Sequence, residues 1–275
     1  MLKETVMLNT VDLSKKLGQE EYEKLMRENQ AALAALVNQI YLQQRPVIVV
    51  IEGWDAAGKG EMIRRLTVNI DPRGYRVHSL VSTLGEVYSE LPEDTAHHYL
   101  WKFWRRLPET GQIAIFESSW YQRVLTDRVE GFCSVDEWKR AFREINQFER
   151  QLVDFGTILF KFWIHISLEE QMRRFEASSD DAQRVWRLSQ EDWRNQEKRV
   201  LYETAVDEML LKTNTILAPW RVVAGDSRNY AQIEILETLV KELSQLLDYD
   251  ALNINAKNSG SKKQKKSKKK AKKKN

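Results

Sequence analysis

Cysteine is almost missing from this sequence: Cys133 is the single example in 275 residues. A lone thiol cannot close an internal disulfide or build a cysteine zinc site, so a reducing cytoplasm is the expected compartment. Cys133 itself reads as a small buried hydrophobe. No run of 18 or more apolar residues occurs, which argues against a membrane-spanning helix. The opening MLKETVMLNTVDLSKK lacks the apolar stretch and small-residue cleavage site of a secretory signal. Histidine is scarce too. The pair His97-His98 has no cysteine or third histidine nearby, so it reads as helix surface and no transition-metal site is expected. There is no internal repeat.

Acidic residues are absent from the Lys-rich end of the chain. Between Lys257 and Lys274 stand 11 lysines and no carboxylate. Removing those 11 from the 43 basic residues leaves 32 against 40 acidic ones, a net charge of −8 for the rest of the chain. An acidic body is a poor nonspecific binder of nucleic acid, so any polyanion must be held in a local basic cleft. The expected division is one folded domain over residues 1–250 and a disordered Lys-rich tail over 251–275. The tail reads either as a solvated arm or as a recruiter of polyanions: RNA, an acidic membrane surface or inorganic polyphosphate. Nucleic acid would enter only through that tail.

What is present is 42% hydrophobic residues, enough for a sizeable core. From Gly18 to Gln44 apolar residues recur at i, i+3 and i+4, predicting an amphipathic helix packed on the domain. Pro46 ends it, and Val47-Ile48-Val49-Val50-Ile51 follows as a strand buried on both faces. Further apolar runs over Val77–Val81, Ile113–Phe116, Ile158–Ile166 and Arg221–Ala224 predict strands. Helical patterns lie between them at Lys59–Asn69, Val135–Asp154, Leu168–Glu176, Gln190–Thr213 and Asn229–Leu247. Strands alternating with helices predict an α/β fold with a parallel sheet wrapped on both faces. Most of the nine tryptophans are expected in the core, where any one could instead stack a base.

Gly53-Trp54-Asp55-Ala56-Ala57-Gly58-Lys59-Gly60 fits G-x-x-x-x-G-K directly after the first strand and at the opening of a helix. In a phosphate loop, glycines such as Gly53 and Gly58 let backbone N–H groups converge on phosphate oxygens. The helix N-terminus adds positive potential, and Lys59 supplies a mobile charge. The alternative is a Gly-rich strand-to-helix turn, which would not need Lys59. Gly60 stands where Ser or Thr usually binds magnesium, so metal would fall to carboxylates, with Asp55 the first candidate. Glu117, ending the Ile113 strand, supplies a second carboxylate, or else an ordinary strand-end glutamate. Arg123 and Arg128 follow near the same edge, either as phosphate clamps or as surface ion pairs with Asp127 and Glu130.

The blocks GWDAAGKG, DPRGY, YLWKFWRRLP, SSWYQRVLTDRVEGF, EINQFERQLVD, KFWIHISLEEQMRRFE, LSQEDWRNQEK and APWRVV, in that order from about residue 19 to 243, resemble the polyphosphate kinase 2 family of polyphosphate:nucleotide phosphotransferases. The wording RVLTDRVEGF is closer to the AMP-phosphorylating subgroup than to the diphosphate-phosphorylating one. The resemblance implies a P-loop kinase-like three-layer αβα fold with a helical lid. It also implies reversible, Mg²⁺-dependent transfer of the terminal phosphoryl of polyphosphate to AMP or a nucleoside diphosphate. By motif position, Asp55 would bind magnesium or orient the acceptor, Lys59 would grip the transferred phosphate, and Arg123 and Arg128 would steady phosphates. Asp71 and Arg73 would border the acceptor. Arg173, Arg174, Arg184 and Arg187 would belong to the lid or stand as solvated helix charges. A homodimer or tetramer is expected from the N-terminal amphipathic helix and the many aromatics.

One departure accompanies the match. The family usually reads Asp-Arg-Ser-Trp-Tyr where this chain reads Glu117-Ser118-Ser119-Trp120-Tyr121. Glutamate keeps the carboxylate on a longer arm, and Ser118 removes a guanidinium. Either a neighbour such as Arg64, Arg65 or Arg123 substitutes, or transfer is slow or lost. Some family members carry a paired, degenerate copy of this domain.

Overall fold

A computed structural model describes residues 7–79, 96–179 and 198–252. Arg184, Arg187, residues 188–197 of the block LSQEDWRNQEK and residues 253–275 of the tail lie outside the described residues.

Five strands are described: β1 (Val47–Gly53), β2 (Tyr75–Ser79), β3 (Ile113–Glu117), β4 (Ile158–His165) and β5 (Trp220–Ala224). Four follow their expected runs to within a residue or two, while β2 starts two residues before the expected Val77, and residues 80 and 81 of that run lie outside the described residues. The five strands make one sheet in the order β2-β3-β1-β4-β5. Every pairing is parallel. Parallel strands need crossovers of a dozen or more residues, and the helices supply them. The described helices are α1 (Gln19–Leu42), α2 (Lys59–Thr67), α3 (Trp101–Trp104), α4 (Thr126–Glu130), α5 (Val135–Asp154), α6 (Leu168–Ser179), α7 (Arg199–Thr213) and α8 (Arg228–Leu246). α1 packs along α8, which also meets α2, while α5 meets α4 and α7. β1 and β4 are buried almost throughout between these layers.

Register decides which residues can share a site. Val47, Ile113 and Tyr75 align at the amino edge of the sheet, and Ile51, Glu117 and Ser79 near its carboxyl edge. In open α/β sheets ligands bind outside the carboxyl ends of the strands, and β1 occupies the centre of that edge. One buried polar group fixes the far side of β4. Lys161 is fully buried, and its Nζ donates to Glu149 Oε2 at 2.8 Å, Tyr121 Oη at 2.8 Å and Thr213 O at 2.9 Å. Trp120 Nε1 and Tyr121 Oη both donate to Glu149 Oε1. The Trp120-Tyr121 pair is therefore core, and it anchors the turn that leaves β3.

Cys133 is half-buried, with its thiol donating to Arg123 O at 3.7 Å. The expectation of a buried hydrophobe fails because the residue sits in the loop between α4 and α5, outside both helix faces. The His97-His98 pair lies in a turn before α3, where the His97 ring stacks on Trp101 at 4.9 Å. No described helix is long and apolar enough to cross a membrane.

Candidate active site

The loop between β1 and α2 has the backbone that its sequence calls for. Gly53 sits at φ +152, and a Cβ there would stand 2.6 Å from Ile164 O. Gly58, at φ +98, caps α2 in the left-handed conformation. Only glycine meets both demands without strain. Ala56 also takes a positive φ of 61. The first-turn amides of α2 have no acceptor within the helix, and its dipole adds positive potential at the same point.

Lys59 bends back over the loop. Its Nζ donates to Gly53 O at 2.9 Å and Trp54 O at 3.2 Å, and lies 3.8 Å from Asp55 Oδ1. Glu117 comes to the loop from β3. Its Oε1 is 3.6 Å from where a Cβ on Gly60 would stand. The missing Ser or Thr at position 60 thus leaves room that a carboxylate from the neighbouring strand approaches.

Sequence reasoning passed over Glu52. It precedes Gly53 on β1, is buried, and its Oε1 accepts both the backbone N–H and the hydroxyl of Ser119 at 2.7 Å. Burial pushes its carboxyl above the usual range, opposed by the Ser119 hydroxyl and by Lys59. Glu52 therefore joins the end of β1 to the turn after β3. The signal was available: a carboxylate closing the run Val47–Ile51, a strand buried on both faces, must have a partner.

Trp54 is tied down as well. Its Nε1 donates to His165 Nδ1 at 2.8 Å, and the Arg199 guanidinium lies over its ring at 3.7 Å. Burial, with the charge of Arg199 beside it, holds the His165 imidazole down to about 4, so the ring is neutral and able to accept.

The other expected arginines are engaged with partners of their own. Arg123 pairs with Asp127 at 3.4 Å and lies over the Tyr99 ring at 4.7 Å. Arg128 donates to Glu208 at 2.6 Å and stacks on Trp138 at 3.9 Å. Of the two ion pairs anticipated for them, only the one with Asp127 forms as expected; Arg128 is held by α7 instead. Arg173 is exposed and paired with Glu170 at 2.7 Å.

Two expectations need correction. Arg174 is buried, with Nε on Glu170, Nη1 on Ala56 O and Ala57 O, and Nη2 on Gly225 O and Asp226 O. Those bonds use the five N–H groups of a guanidinium, so Arg174 supports the loop from behind and has no donor left for a ligand phosphate. Asp71 and Arg73 pair with each other in the turn Pro72–Gly74 that leads into β2. Hydrogen bonds from Arg73 hold the Asp71 carboxyl to about 2. That turn is at the amino edge, and a five-residue strand at about 3.3 Å per residue sets it on the order of 15 Å from the loop. A helix returning to start a parallel strand must end there, so these two residues do not join the group within this chain.

Among the described residues no group of three His, Cys, Asp or Glu is placed to hold a metal. Asp55, Glu117, Lys59 and the amides at the start of α2 remain as the cluster at the carboxyl edge. It can hold phosphate by N–H donors and positive charge, and it offers two carboxylates beside that phosphate.

Comparison with known proteins agrees with this geometry. Residues 16–249 match the family model described as polyphosphate kinase 2. The chain is 39% identical over 233 residues to a polyphosphate:AMP phosphotransferase of Pseudomonas aeruginosa, covering 85% of this chain and 46% of that one. It is 33% identical over 238 residues to ADP-polyphosphate phosphotransferase 1 of Rhizobium meliloti, covering 86% and 75%. The crystal structure of polyphosphate kinase 2 from Arthrobacter aurescens TC1 superposes with a TM-score of 0.82 at 26% identity, over 89% of this chain and 87% of that one. The chain thus spans about half the length of the polyphosphate:AMP phosphotransferase it matches, and most of the length of the other two.

Proposed function

The chain belongs to the polyphosphate kinase 2 family, and on that premise we propose that it transfers the terminal phosphoryl group between inorganic polyphosphate and a nucleoside mono- or diphosphate, with AMP the favoured acceptor. The observation that carries this reading is the loop after β1, where Lys59 and the α2 N-terminus meet the Glu117 carboxylate beside Gly60. AMP is favoured because identity to the AMP-named relative is 39% against 33% for the ADP-named one.

In the forward direction a phosphate oxygen of AMP forms a bond to the terminal phosphorus of the chain. The bridging P–O bond breaks, and polyphosphate leaves one unit shorter. Such transfer asks the protein for positioning and charge neutralisation. The amides of α2 and Lys59 would hold the transferred phosphoryl. Lys59 would trade its bonds to Gly53 O and Trp54 O for bonds to phosphate. Arg123 and Arg128 would steady phosphates only by leaving Asp127 and Glu208.

A divalent cation, Mg²⁺ by our reading, fits the donor set. Magnesium binds through one or two carboxylates together with substrate phosphates and water, and Asp55 and Glu117 are those carboxylates. When bound, it would neutralise charge on the phosphate oxygens.

A second reading has its own observation. Ser118 replaces the arginine usual in the family, and Arg123, the nearest substitute in sequence, is engaged with Asp127 and Tyr99. The chain would then bind polyphosphate and nucleotide with slow or no transfer. An ATP-dependent nucleotide kinase on the same scaffold is the third. Purified protein with Mg²⁺ and long-chain polyphosphate, offered AMP, ADP and GDP in turn beside Lys59→Ala, separates them. Turnover greatest with AMP and lost in Lys59→Ala is expected. Turnover from ATP alone would favour the nucleotide kinase, and binding without turnover the impaired relative.

We place the protein in the cytoplasm, on its single thiol. We also propose a homodimer or tetramer. Tyr41, Leu42 and Phe155, 66–72% exposed, stand where α1 and α5 end at the amino edge. Light scattering on the purified chain checks this; a monomer at micromolar concentration would contradict it.

A further inference from the structure

Five consecutive carbonyls of the loop are each held by a side chain. Lys59 takes those of Gly53 and Trp54. The next three are taken from α6: Gln171 Nε2 donates to Asp55 O at 3.0 Å, and Arg174 Nη1 donates to Ala56 O and Ala57 O, both at 3.0 Å. Arg174 Nη2 continues to Gly225 O at 2.7 Å and Asp226 O at 3.0 Å, which fastens the loop to the end of β5. Gln171 is itself oriented. Arg199 Nη1 donates to its Oε1 at 2.6 Å, so the amide nitrogen is the end that meets Asp55. Arg199 is anchored in turn on Ile166 O at 2.8 Å. Gln171, Arg174 and Arg199 are all buried.

The consequence follows from peptide geometry. No peptide bond described is cis, and in a trans unit the carbonyl of one residue is antiparallel to the N–H of the next. Holding Asp55 O and Ala57 O toward α6 therefore turns the N–H groups of Ala56 and Gly58 the opposite way. Left unheld, these peptides could rotate and present oxygen where phosphate oxygen should sit.

We propose that Gln171 and Arg174, with Arg199 orienting Gln171, are positioning residues that hold the amides of Ala56 and Gly58 toward bound phosphate. The proposal rests on the phosphate-loop reading of residues 53–60. It accounts for buried Gln171 and Arg174, which reach the carbonyls of Asp55, Ala56 and Ala57, and for buried Arg199, which orients Gln171.

Gln171→Glu is the sharpest test. It preserves size and the acceptor for Arg199, but it sets a carboxylate oxygen against Asp55 O. Gln171→Met removes the donor without adding charge and serves if the first variant is unstable. Two readouts are taken well below the melting temperature: hydrogen exchange of the 53–60 amides in the ligand-free protein, and calorimetric binding of inorganic tripolyphosphate with Mg²⁺. Faster exchange and roughly tenfold weaker binding, from lost preorganisation, are expected in both variants. Arg174→Lys should fall between the parent and Arg174→Met. Exchange and affinity within about twofold of the parent would overturn the proposal, even with a lowered melting temperature, since a purely structural role moves only the latter. A parent that does not bind tripolyphosphate would overturn the phosphate-loop reading and this proposal with it. A parent that binds, weakened by Lys59→Ala but not by either Gln171 variant, would overturn the positioning role alone.

Discussion

The two strand ends that meet at the cleft are built differently. At the end of β1, the loop follows its motif residue by residue, and Lys59, Gln171 and Arg174 hold its carbonyls. At the end of β3, Glu117-Ser118-Ser119 stands where the family usually reads Asp-Arg-Ser, and Ser118 takes a positive φ of 62. Beyond the strand pairing, the Ser119 N–H and hydroxyl join the two ends by both donating to buried Glu52. The part proposed to hold phosphate is thus reinforced, while the part that would stabilise transferring charge carries Ser118 in place of a guanidinium. Binding and turnover are expected to respond to different substitutions.

The largest effect should come from restoring the β3 end. Glu117→Asp with Ser118→Arg is expected to raise kcat about a thousandfold if the serine limits transfer, the scale on which an arginine acts in phosphoryl transfer. Affinity for tripolyphosphate should hardly move. A steady-state comparison with the parent checks this, and an unchanged kcat would show that another group already does the work.

Lys59→Ala attacks the β1 end. Truncating one partner of a desolvated charge pair costs about 2–5 kcal/mol, so tripolyphosphate should bind on the order of a hundredfold more weakly. Calorimetry reads it directly.

Much of this contrast was legible in the sequence. β1, β3 and β4 lie where continuous apolar runs place them, because a strand buried on both faces needs no alternation, whereas the edge strand β2, with Arg76, Val77 and Ser79 exposed, begins two residues before its expected start. Val135–Asp154 is helical over its expected span, with Ser134 and Glu137 forming a capping box. The phosphate loop and Glu117 were legible because local spacing defines them. The supports of the loop were not. Gln171 and Arg174 act on residues more than 110 positions away, and no local pattern announces such pairing. Asp71 and Arg73 erred the other way. A family motif suggested a shared site, whereas β2 starting at Tyr75 already put them at the opposite edge.

Acidity offers a smaller test of the β1 side. The His165 imidazole is held to about 4 mainly by burial, against roughly 6.5 when unfolded. Between those values the unfolded chain binds more protons, so stability should fall as pH drops from about 6.5 to 4, by up to about 3 kcal/mol. Denaturant melts at pH 7 and pH 4.5 should show this loss in the parent and much less of it in His165→Asn.

Glu52 should move stability in the reverse sense. Its carboxyl is raised by burial, so the folded chain keeps a proton that the unfolded chain has released. Stability on its account is greatest below the unfolded carboxylate value and declines as pH rises toward the folded one. Glu52→Gln, which can still accept from Ser119, should flatten that decline. A pH series of melting temperatures on both proteins would show it, and parallel curves would place the proton elsewhere.

The most direct measurement is phosphorus NMR of the parent with Mg²⁺, AMP and long-chain polyphosphate, followed over time beside Lys59→Ala. ADP phosphorus signals growing as polyphosphate shortens, in the parent and not in the variant, are the predicted result. Unchanged AMP and polyphosphate in the parent, with or without ADP formed when ATP replaces the polyphosphate, would contradict it.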